Sequence, residues 1–397
     1  MAKLVETVEL KTNFYTYEGV VKALNGVSVV VNHQSTFGLV GESGCGKSVT
    51  VRSIMRIIQE PGRIESGNVV VFFNEDDQKQ GVDLLKQSET FMEQLRGNQI
   101  SMIFQEPNSA LNPILSINDQ ISESFLIHQR AELREKVIAD LTKDLKTSSS
   151  LLKKLQLLLC KRQAHNPRDP LVNACSKIPL VKWWEKPLYK EATRRSIEIL
   201  EKLGIANAEQ VVTRYPHEIS GGMKQRIVIA IALACNPLLL IADEPTSNLD
   251  VTIQAQILEL IKELKEKYIS SVLFITHDLG VVAETCDRVG VMYAGNLCEV
   301  ADVQELFRNP KHPYSSALLT AVPKVEQEGE LTSIAGSVPN LVDPPSGCRF
   351  HPRCPHAMDI CKTTLPPTKE IADNHYVACH LYTDAPYVPT WADRKGL

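Results

Sequence analysis

A glycine-rich loop that begins at residue 41 has the residue types and the spacing that hold phosphate groups. Residues 35–40 read as an apolar strand, and the next eight residues match the pattern G-x-x-x-x-G-K-[ST]. Glycines let backbone N–H groups turn towards phosphate oxygens, the lysine brings a charge to the β- and γ-phosphates, and the final serine offers a hydroxyl to Mg²⁺. A helix that begins here would add the positive end of its dipole. The residues predicted to contact the phosphates are Gly41, Glu42, Ser43, Gly44, Cys45, Gly46, Lys47, Ser48 and Val49.

Two neighbouring carboxylates end a second apolar run, at residues 238–242. A strand that is apolar throughout is typical of a buried parallel sheet, in which ligands bind at the carboxyl ends of the strands. Asp243 is therefore predicted to hold Mg²⁺ through water, and Glu244 to orient or deprotonate an attacking water molecule. A third run, residues 271–276, ends at His277, which could contact the γ-phosphate, although a lone histidine at a strand end is more often structural. These residues together predict a phosphate-hydrolysing site in an α/β fold.

A second glycine pair narrows this prediction to one family. The run ISGGMKQR at residues 219–226 resembles the signature of ABC-type ATPases, in the variant of the peptide-importer branch. Ser220, Gly221 and Gly222 would open a helix, so that their N–H groups form a further anion site. The resemblance implies that this site completes the ATP pocket of an opposite subunit, and therefore that two such chains form a head-to-tail dimer.

Other landmarks of the family occur in the expected order. Gln105, in the run IFQEP, matches the glutamine loop, and the resemblance makes it a catalytic residue and a ligand of Mg²⁺. Asp250, in the run SNLD, matches the D-loop, and His277 matches the switch histidine. An aromatic side chain, Phe14 or Tyr15, is expected to stack on adenine, and Phe14 is the better candidate. The alternative is that Phe14 is a core residue of the first strand.

The C-terminal part resembles the extension of peptide-importer ATPases. The runs PKHPYSSALL at residues 310–319, IAGSVP at 334–339 and PSGCRFHPRC at 345–354 carry this resemblance. It implies an ATP-hydrolysing subunit that powers uptake of dipeptides or oligopeptides from the cytoplasmic face of the cell membrane. The implied partners are two transmembrane permease subunits, a homologous ATPase subunit with which this chain forms a heterodimer, and an external solute-binding protein. Because relatives of this branch also import nickel or oligosaccharides, the solute stays open.

Four cysteines in the extension need an explanation of their own. Cys348, Cys354, Cys361 and Cys379 have the spacing C-x5-C-x6-C-x17-C. Four thiolates suit tetrahedral binding of Zn²⁺ or of an iron–sulfur cluster, and nearby histidines leave a mixed site open. Some members of the family carry a [4Fe–4S] cluster on such cysteines, which favours the cluster over zinc. The remaining alternative is that the four are free thiols in a loop.

The fold is therefore predicted to be α/β, with a P-loop ABC ATPase core on a mixed sheet, a helical signature subdomain and a small cysteine-rich C-terminal extension. The nucleotide-binding domain is predicted at residues 1–305, the helical subdomain at about 106–225 and the extension at 306–397. Residues of about 138–188 make the subdomain longer than is usual in the family. Within them, Trp183 and Trp184 suit either a membrane interface or packing on the subdomain's own helices.

Charge and hydropathy exclude some classes of protein. The net charge of −4 gives no electrostatic reason to expect a nucleic-acid partner. The first twenty residues include three glutamates and have no apolar core, so we expect no signal peptide. Two rival functions remain, an ABC ATPase that acts on ribosomes or DNA and an iron–sulfur sensor that binds nucleotide without turnover. The absence of strongly basic regions argues against an ATPase that acts on ribosomes or DNA. The presence of Glu244 argues against a sensor without turnover.

Overall fold

The computed structural model describes residues 2–74, 81–147, 150–166, 182–247, 249–268, 271–321 and 334–383. The chain divides into two compact units. The phosphate-loop unit comprises Met1–Arg96, Leu238–Ser247 and Gln254–Leu397, and the helical unit comprises Gly97–Pro237 and Asn248–Ile253. The predicted C-terminal extension thus belongs to the same unit as the phosphate loop.

The strands and helices are numbered in chain order. The strands are β1 (Lys3–Thr16), β2 (Gly19–Val27), β3 (Val30–Asn32), β4 (Thr36–Val40), β5 (Gly62–Val71), β6 (Val82–Asp83), β7 (Ile100–Ile103), β8 (Leu239–Asp243), β9 (Ser271–Ile275), β10 (Arg288–Tyr293), β11 (Asn296–Asp302), β12 (Thr368–Ala372) and β13 (His375–Ala378). The helices are α1 (Lys47–Ile54), α2 (Glu89–Leu95), α3 (Pro107–Ala110), α4 (Ile117–His128), α5 (Arg130–Thr147), α6 (Leu151–His165), α7 (Lys186–Lys202), α8 (Ala208–Val211), α9 (Gly221–Leu233), α10 (Val251–Tyr268), α11 (Leu279–Thr285), α12 (Val303–Arg308), α13 (Pro313–Thr320) and α14 (Asp359–Thr363).

A parallel core lies at the centre of the phosphate-loop unit. Strands β10, β4, β9 and β8 are neighbours in this order, and all three pairings are parallel. Every residue of β4, β8 and β9 is buried, as their apolar runs predict. Since parallel strands share one carboxyl edge, the segments after β4, β8 and β9 leave from the same side of the sheet. This topology brings together the three candidate segments of the sequence.

The extension continues this sheet. Strand β11 is antiparallel to β10, β13 pairs with β11 through Glu299↔Val377 and Val300↔Tyr376, and β12 pairs with β13. The predicted mixed sheet is therefore present, and its outer strands come from the C-terminal part of the chain. A separate sheet of β1, β2, β3, β5 and β6 is antiparallel throughout. It meets α1 where the hydroxyls of Thr12 and Ser53 lie 2.9 Å apart.

The helical unit contains helices α3–α9 and strand β7. Helices α4, α5 and α7 pack on one another, and their buried side chains include Phe125, Leu133 and Ala192. Trp184 is 2% exposed and lies in this unit, so packing within the subdomain, and not a membrane interface, describes this residue. The side chain of Trp183 and residues 167–181 of the predicted insertion lie outside the described residues. No helix in the described part of the chain is long and apolar enough to cross a bilayer.

Candidate active site

The phosphate loop between β4 and α1 depends on glycine at three positions. Gly41, Gly44 and Gly46 have φ of 150°, 78° and 104°, a region that side chains with a Cβ rarely adopt. A Cβ on Gly41 would lie 2.2 Å from the carbonyl oxygen of Met292, and a Cβ on Gly46 would lie 2.8 Å from that of Ala23. The loop backbone thus lies so close to β10 and β2 that a side chain at Gly41 or Gly46 would collide with them.

Lys47 lies inside this loop. Its side chain is 5% exposed, and its ammonium group donates to the carbonyl oxygens of Gly41 at 2.7 Å and Glu42 at 3.2 Å. The first residue of α1 therefore carries a buried positive charge at the helix N-terminus. A phosphate anion bound to the loop would meet this charge and the helix dipole together.

Ser48 and Asp243 come from different segments and bind each other. The Ser48 hydroxyl donates to Oδ1 of Asp243 at 2.9 Å. The other oxygen, Oδ2, is buried and has no hydrogen-bond partner among the described residues. Burial raises the pKa of Asp243, because the charged carboxylate loses hydration. Oxygen ligands of this kind suit Mg²⁺, so the pair fits the metal ion predicted for it.

Glu244 and His277 form a second pair at the same edge. Nδ1 of His277 lies 3.3 Å from Oε1 of Glu244, with the histidine side chain 61% exposed and the glutamate 14% exposed. Glu244 has φ 47°, and its N–H donates to Ile275 O at 2.9 Å. The Ser247 hydroxyl donates to the Glu244 carbonyl at 2.6 Å. The carboxylate is therefore held in a strained backbone position, of the kind that often marks a functional site.

Three further predicted segments of the ATP site lie in the helical unit. Ser220 is the N-cap of α9, and its hydroxyl makes no capping bond within the described structure, so the first-turn N–H groups that include those of Gly221 and Gly222 have no cap. Asp250 is exposed, and its Oδ1 accepts from Ile253 N at 3.0 Å, which caps the start of α10. Gln105 lies just after β7 and is half-buried. Their roles in a composite site stay predictions.

The two candidates for adenine stacking differ in their surroundings. Phe14 is half-buried on β1, and its ring lies against Gly62, where a Cβ would be 2.6 Å from ring atom Cε1. Tyr15 is 44% exposed, its hydroxyl donates to Glu65 at 2.8 Å, and the guanidinium of Arg63 lies 5.6 Å from its ring. The preference for Phe14 stays a prediction.

Sequence reasoning missed two residues that bind the phosphate loop. The Tyr314 hydroxyl accepts from the N–H of Glu42 at 3.0 Å, and Arg353 pairs with the Glu42 carboxylate at 2.9 Å. Both residues come from the C-terminal extension. The runs that carry the family resemblance contain them, but nothing in those runs says that they reach residue 42.

The four cysteines of the extension lie near one another as free thiols. Cys348 N donates to Cys361 O at 2.8 Å, and Cys379 lies within electrostatic reach of the other three. Burial raises the pKa of Cys379 to about 11 and also raises that of Cys348 and Cys354. Among the described residues, however, no group of three or more His, Cys, Asp or Glu side chains is arranged to hold a metal ion. The donor types fit a metal centre, but the side chains as they stand do not converge on one.

His312 positions Tyr314 and provides a test by pH. Its Nδ1 accepts from the N–H of Tyr314 at 3.0 Å, and burial lowers its pKa from 6.5 to about 4. In the unfolded chain His312 takes up a proton below about pH 6.5, whereas in the folded chain it takes up a proton only below about pH 4. The free energy of unfolding therefore falls as the pH falls through this window. The loss should approach about 3 kcal/mol of unfolding free energy.

The variant His312→Asn isolates this contribution, since asparagine keeps a capping oxygen but does not titrate. Urea unfolding at pH 7 and pH 4 should show the parent losing more stability than the variant. Equal losses in both proteins would contradict the assignment to His312.

Two family models match this chain. Residues 24–247 match the model described as ABC transporter. Residues 298–361 match the model described as oligopeptide/dipeptide transporter, C-terminal region. The first match contains the phosphate loop, Asp243 and Glu244, and the second contains Tyr314, Arg353 and three of the four clustered cysteines.

Similar proteins cover nearly the whole chain. It is 42% identical over 386 residues to the oligopeptide transport ATP-binding protein AppD of Bacillus subtilis (strain 168), which covers 97% of this chain and 98% of that protein. It is 40% identical over 383 residues to the dipeptide transport ATP-binding protein DppD of the same organism, with 96% and 95% covered. A dimeric structure of the ATP-binding cassette MJ0796 in a post-hydrolysis state with ADP and Pi matches with TM-score 0.52 at 20% identity, covering 76% of this chain and 99% of that one. This last likeness shows the cassette fold alone. The chain therefore belongs to the ABC transporter family as an ATPase, with a C-terminal region of the oligopeptide/dipeptide transporter type.

Proposed function

We propose that this chain hydrolyses ATP to power the import of dipeptides or oligopeptides across the cell membrane. The observation that carries the proposal is the meeting of the phosphate loop, Asp243 and Glu244 at one edge of the parallel core, in a chain whose extension matches the peptide-transporter region. The chain would act at the cytoplasmic face of the membrane with two permease subunits, a homologous ATPase subunit and an external solute-binding protein.

Each residue at this edge has a chemical role in the proposal. Lys47 and the loop N–H groups bind the β- and γ-phosphates of ATP. Ser48 would hold Mg²⁺ through its hydroxyl, and Asp243 would hold it through water. Mg²⁺, when bound, neutralises charge on the phosphate oxygens. Glu244 orients the attacking water and accepts its proton, and His277, at 3.3 Å from this carboxylate, keeps the water and the γ-phosphate in line.

The composite part of the site requires a second subunit. We propose that Ser220, Gly221 and Gly222 bind the γ-phosphate held by the partner subunit, because no side chain among the described residues caps the first-turn N–H groups of α9. Gln105 and Asp250 would complete the contacts to Mg²⁺ and across the dimer. The proposed domain boundaries remain those of the sequence, 1–305 for nucleotide binding, with the helical subdomain at about 106–225, and 306–397 for the extension.

Uptake measurements test the function. Cells that normally contain this chain should lose uptake of radiolabelled di- and oligopeptides when it is deleted, regain it with the parent chain, and fail to regain it with Glu244→Gln. Nickel uptake in the same cells is the control for the alternative solute. Loss of nickel uptake with peptide uptake intact would overturn the peptide assignment while leaving the ATPase in place.

We also propose that Cys348, Cys354, Cys361 and Cys379 hold a [4Fe–4S] cluster, with Zn²⁺ as the alternative. Four free thiols that lie within electrostatic reach of one another support the proposal. Since burial favours the protonated thiols that ligate poorly, binding of a metal centre would release protons and draw the side chains inward. The centre would then stabilise the extension, as a closed four-thiolate site does.

Absorbance and metal analysis of protein purified without oxygen test this prediction. A broad band at about 400 nm with about four irons per chain is expected, and Cys354→Ser should remove both. Cys298→Ser is the matched control, because Cys298 is a buried fifth cysteine near Cys348 and Cys379 but outside the predicted set. One zinc per colourless chain would replace the cluster by a zinc module, and protein without any metal would contradict the metal centre.

A further inference from the structure

The C-terminal extension binds the second residue of the phosphate loop at its side chain and at its backbone. The Glu42 carboxylate accepts from Nη1 of Arg353 at 2.9 Å and from Nη2 at 3.2 Å. The N–H of Glu42 donates to the buried Tyr314 hydroxyl at 3.0 Å. The Glu42 carbonyl accepts from Lys47 at 3.2 Å. Each polar group of Glu42 is therefore held, two of them by the extension.

Arg353 is built into its place. Its side chain is 5% exposed, and all five N–H donors of the guanidinium are used. Besides Glu42, they reach Ala335 O at 2.8 Å, Ile334 O at 3.2 Å and the Tyr293 hydroxyl at 3.3 Å. A lysine offers one point charge and cannot reproduce this fork. The contact to Glu42 is thus a fixed bidentate pair and not a loose surface ion pair.

The pair matters because of where Glu42 lies. A carboxylate in a loop that receives phosphate groups repels the bound anion unless a positive charge compensates it. Arg353 supplies this charge and holds the carboxylate in a bidentate pair, and Tyr314 holds the backbone of the same residue. Phe350 packs against Tyr314 and Tyr293, with ring centroids 5.3 and 5.1 Å apart, so the two contacts share one rigid support.

We propose that Arg353 and Tyr314 are positioning residues of the phosphate loop, through which the C-terminal extension sets the affinity of this chain for nucleotide. The inference rests on the proposed ATPase function for its turnover readout. Binding of the fluorescent analogue mant-ADP tests it separately, since this measurement needs no hydrolysis.

Substitution of Arg353 tests the charge. Arg353→Gln should raise KM for ATP and the dissociation constant of mant-ADP about tenfold, with kcat changed less than KM, because one partner of a largely buried pair is removed. Arg353→Lys should fall between the parent and Arg353→Gln, because lysine keeps the positive charge but cannot form the bidentate pair. The double variant E42Q/R353Q should recover most of the lost affinity, because no uncompensated carboxylate remains. If the double variant instead loses as much nucleotide affinity as Glu42→Gln and Arg353→Gln lose together, Arg353 does not act through Glu42 and the proposal is overturned.

Two further variants separate positioning from folding. Tyr314→Phe keeps the aromatic packing and removes only the acceptor for Glu42 N–H, and should raise the mant-ADP dissociation constant about fivefold. Arg288→Gln is the matched control, because Arg288 also contacts the extension, through Asn374 O at 2.9 Å and the ring of Tyr376, and lies at the start of β10, away from the loop. It should leave nucleotide affinity unchanged. If Arg353→Gln and Tyr314→Phe lower Tm and leave KM and mant-ADP affinity at parental values, the two residues serve stability alone and the proposal is wrong.

Discussion

Replacement of Glu244 by glutamine is expected to lower kcat for ATP hydrolysis by about 10²- to 10⁴-fold, the range over which a positioned general base contributes. Glutamine has the same length and still binds hydrogen-bond donors, but it cannot accept the proton of the attacking water. Nucleotide affinity should stay close to that of the parent, because Lys47, Ser48 and Asp243 are unchanged. Steady-state phosphate release and mant-ADP binding, measured on the same preparations, check both parts.

Glu284→Gln serves as the matched control for this prediction. Glu284 is an exposed carboxylate on α11, the helix that comes after His277, and its loss should leave turnover unchanged. Turnover by Glu244→Gln at the parental rate would remove Glu244 from the mechanism. A parent chain that binds ATP without hydrolysing it would favour the nucleotide sensor over the enzyme.

Replacement of Gly41 by alanine is expected to weaken nucleotide binding strongly and to destabilise the fold. The new methyl group would lie 2.2 Å from Met292 O and 2.8 Å from the Cys45 sulfur, at a φ of +150°. The strained backbone costs about 1–3 kcal/mol, and forcing a methyl into a packed site adds about 1–3 kcal/mol. Because β10 is packed in the core of the sheet, the phosphate loop must move instead. A displacement of about 1 Å in the groups that position a substrate lowers activity about 100-fold.

Gly44→Ala is the control that separates the effect of backbone strain from the effect of a steric clash with β10. Gly44 also has positive φ, +78°, but a Cβ there would meet no described atom within 4 Å. This variant should lose about 1–2 kcal/mol from backbone strain alone and keep measurable ATP affinity. Thermal unfolding and mant-ADP titration of the two variants check the difference. Equal losses for both would show that contact with Met292 is not what sets the loop.

The parts of the candidate site that lie at the ends of single strands could be predicted from sequence. The phosphate loop, Asp243–Glu244 and His277 each come directly after an apolar run, and buried parallel strands place the residues at their carboxyl ends along one edge of the sheet. The structure confirms these strands and their parallel pairing. It also brings Ser48 into contact with Asp243 and His277 into contact with Glu244. The spacing within the motifs does not predict either contact.

The four cysteines of the extension show that spacing along the chain does not by itself predict the geometry of a metal site. The pattern of four cysteines predicts a thiolate site, and the thiols do lie near one another, but the described side chains form no group able to hold a metal ion. Spacing along a chain limits which sulfur atoms can meet, whereas the distance between them depends on how the intervening loop folds. The ligand set therefore stays a prediction that metal analysis must test.

What the sequence by itself determined is which residue types lie at the candidate site. The residues predicted to bind phosphate and Mg²⁺ and to activate water lie in short segments, and a strand followed by a turn is enough to place each segment. The tertiary structure alone decided what supports them. Arg353 binds Glu42, which lies 311 residues away in the chain. The carbonyl oxygen of Met292, on a neighbouring strand, leaves no space for a side chain at Gly41. Such contacts depend on the packing of distant segments, whose side chains carry no local pattern that reveals the partner.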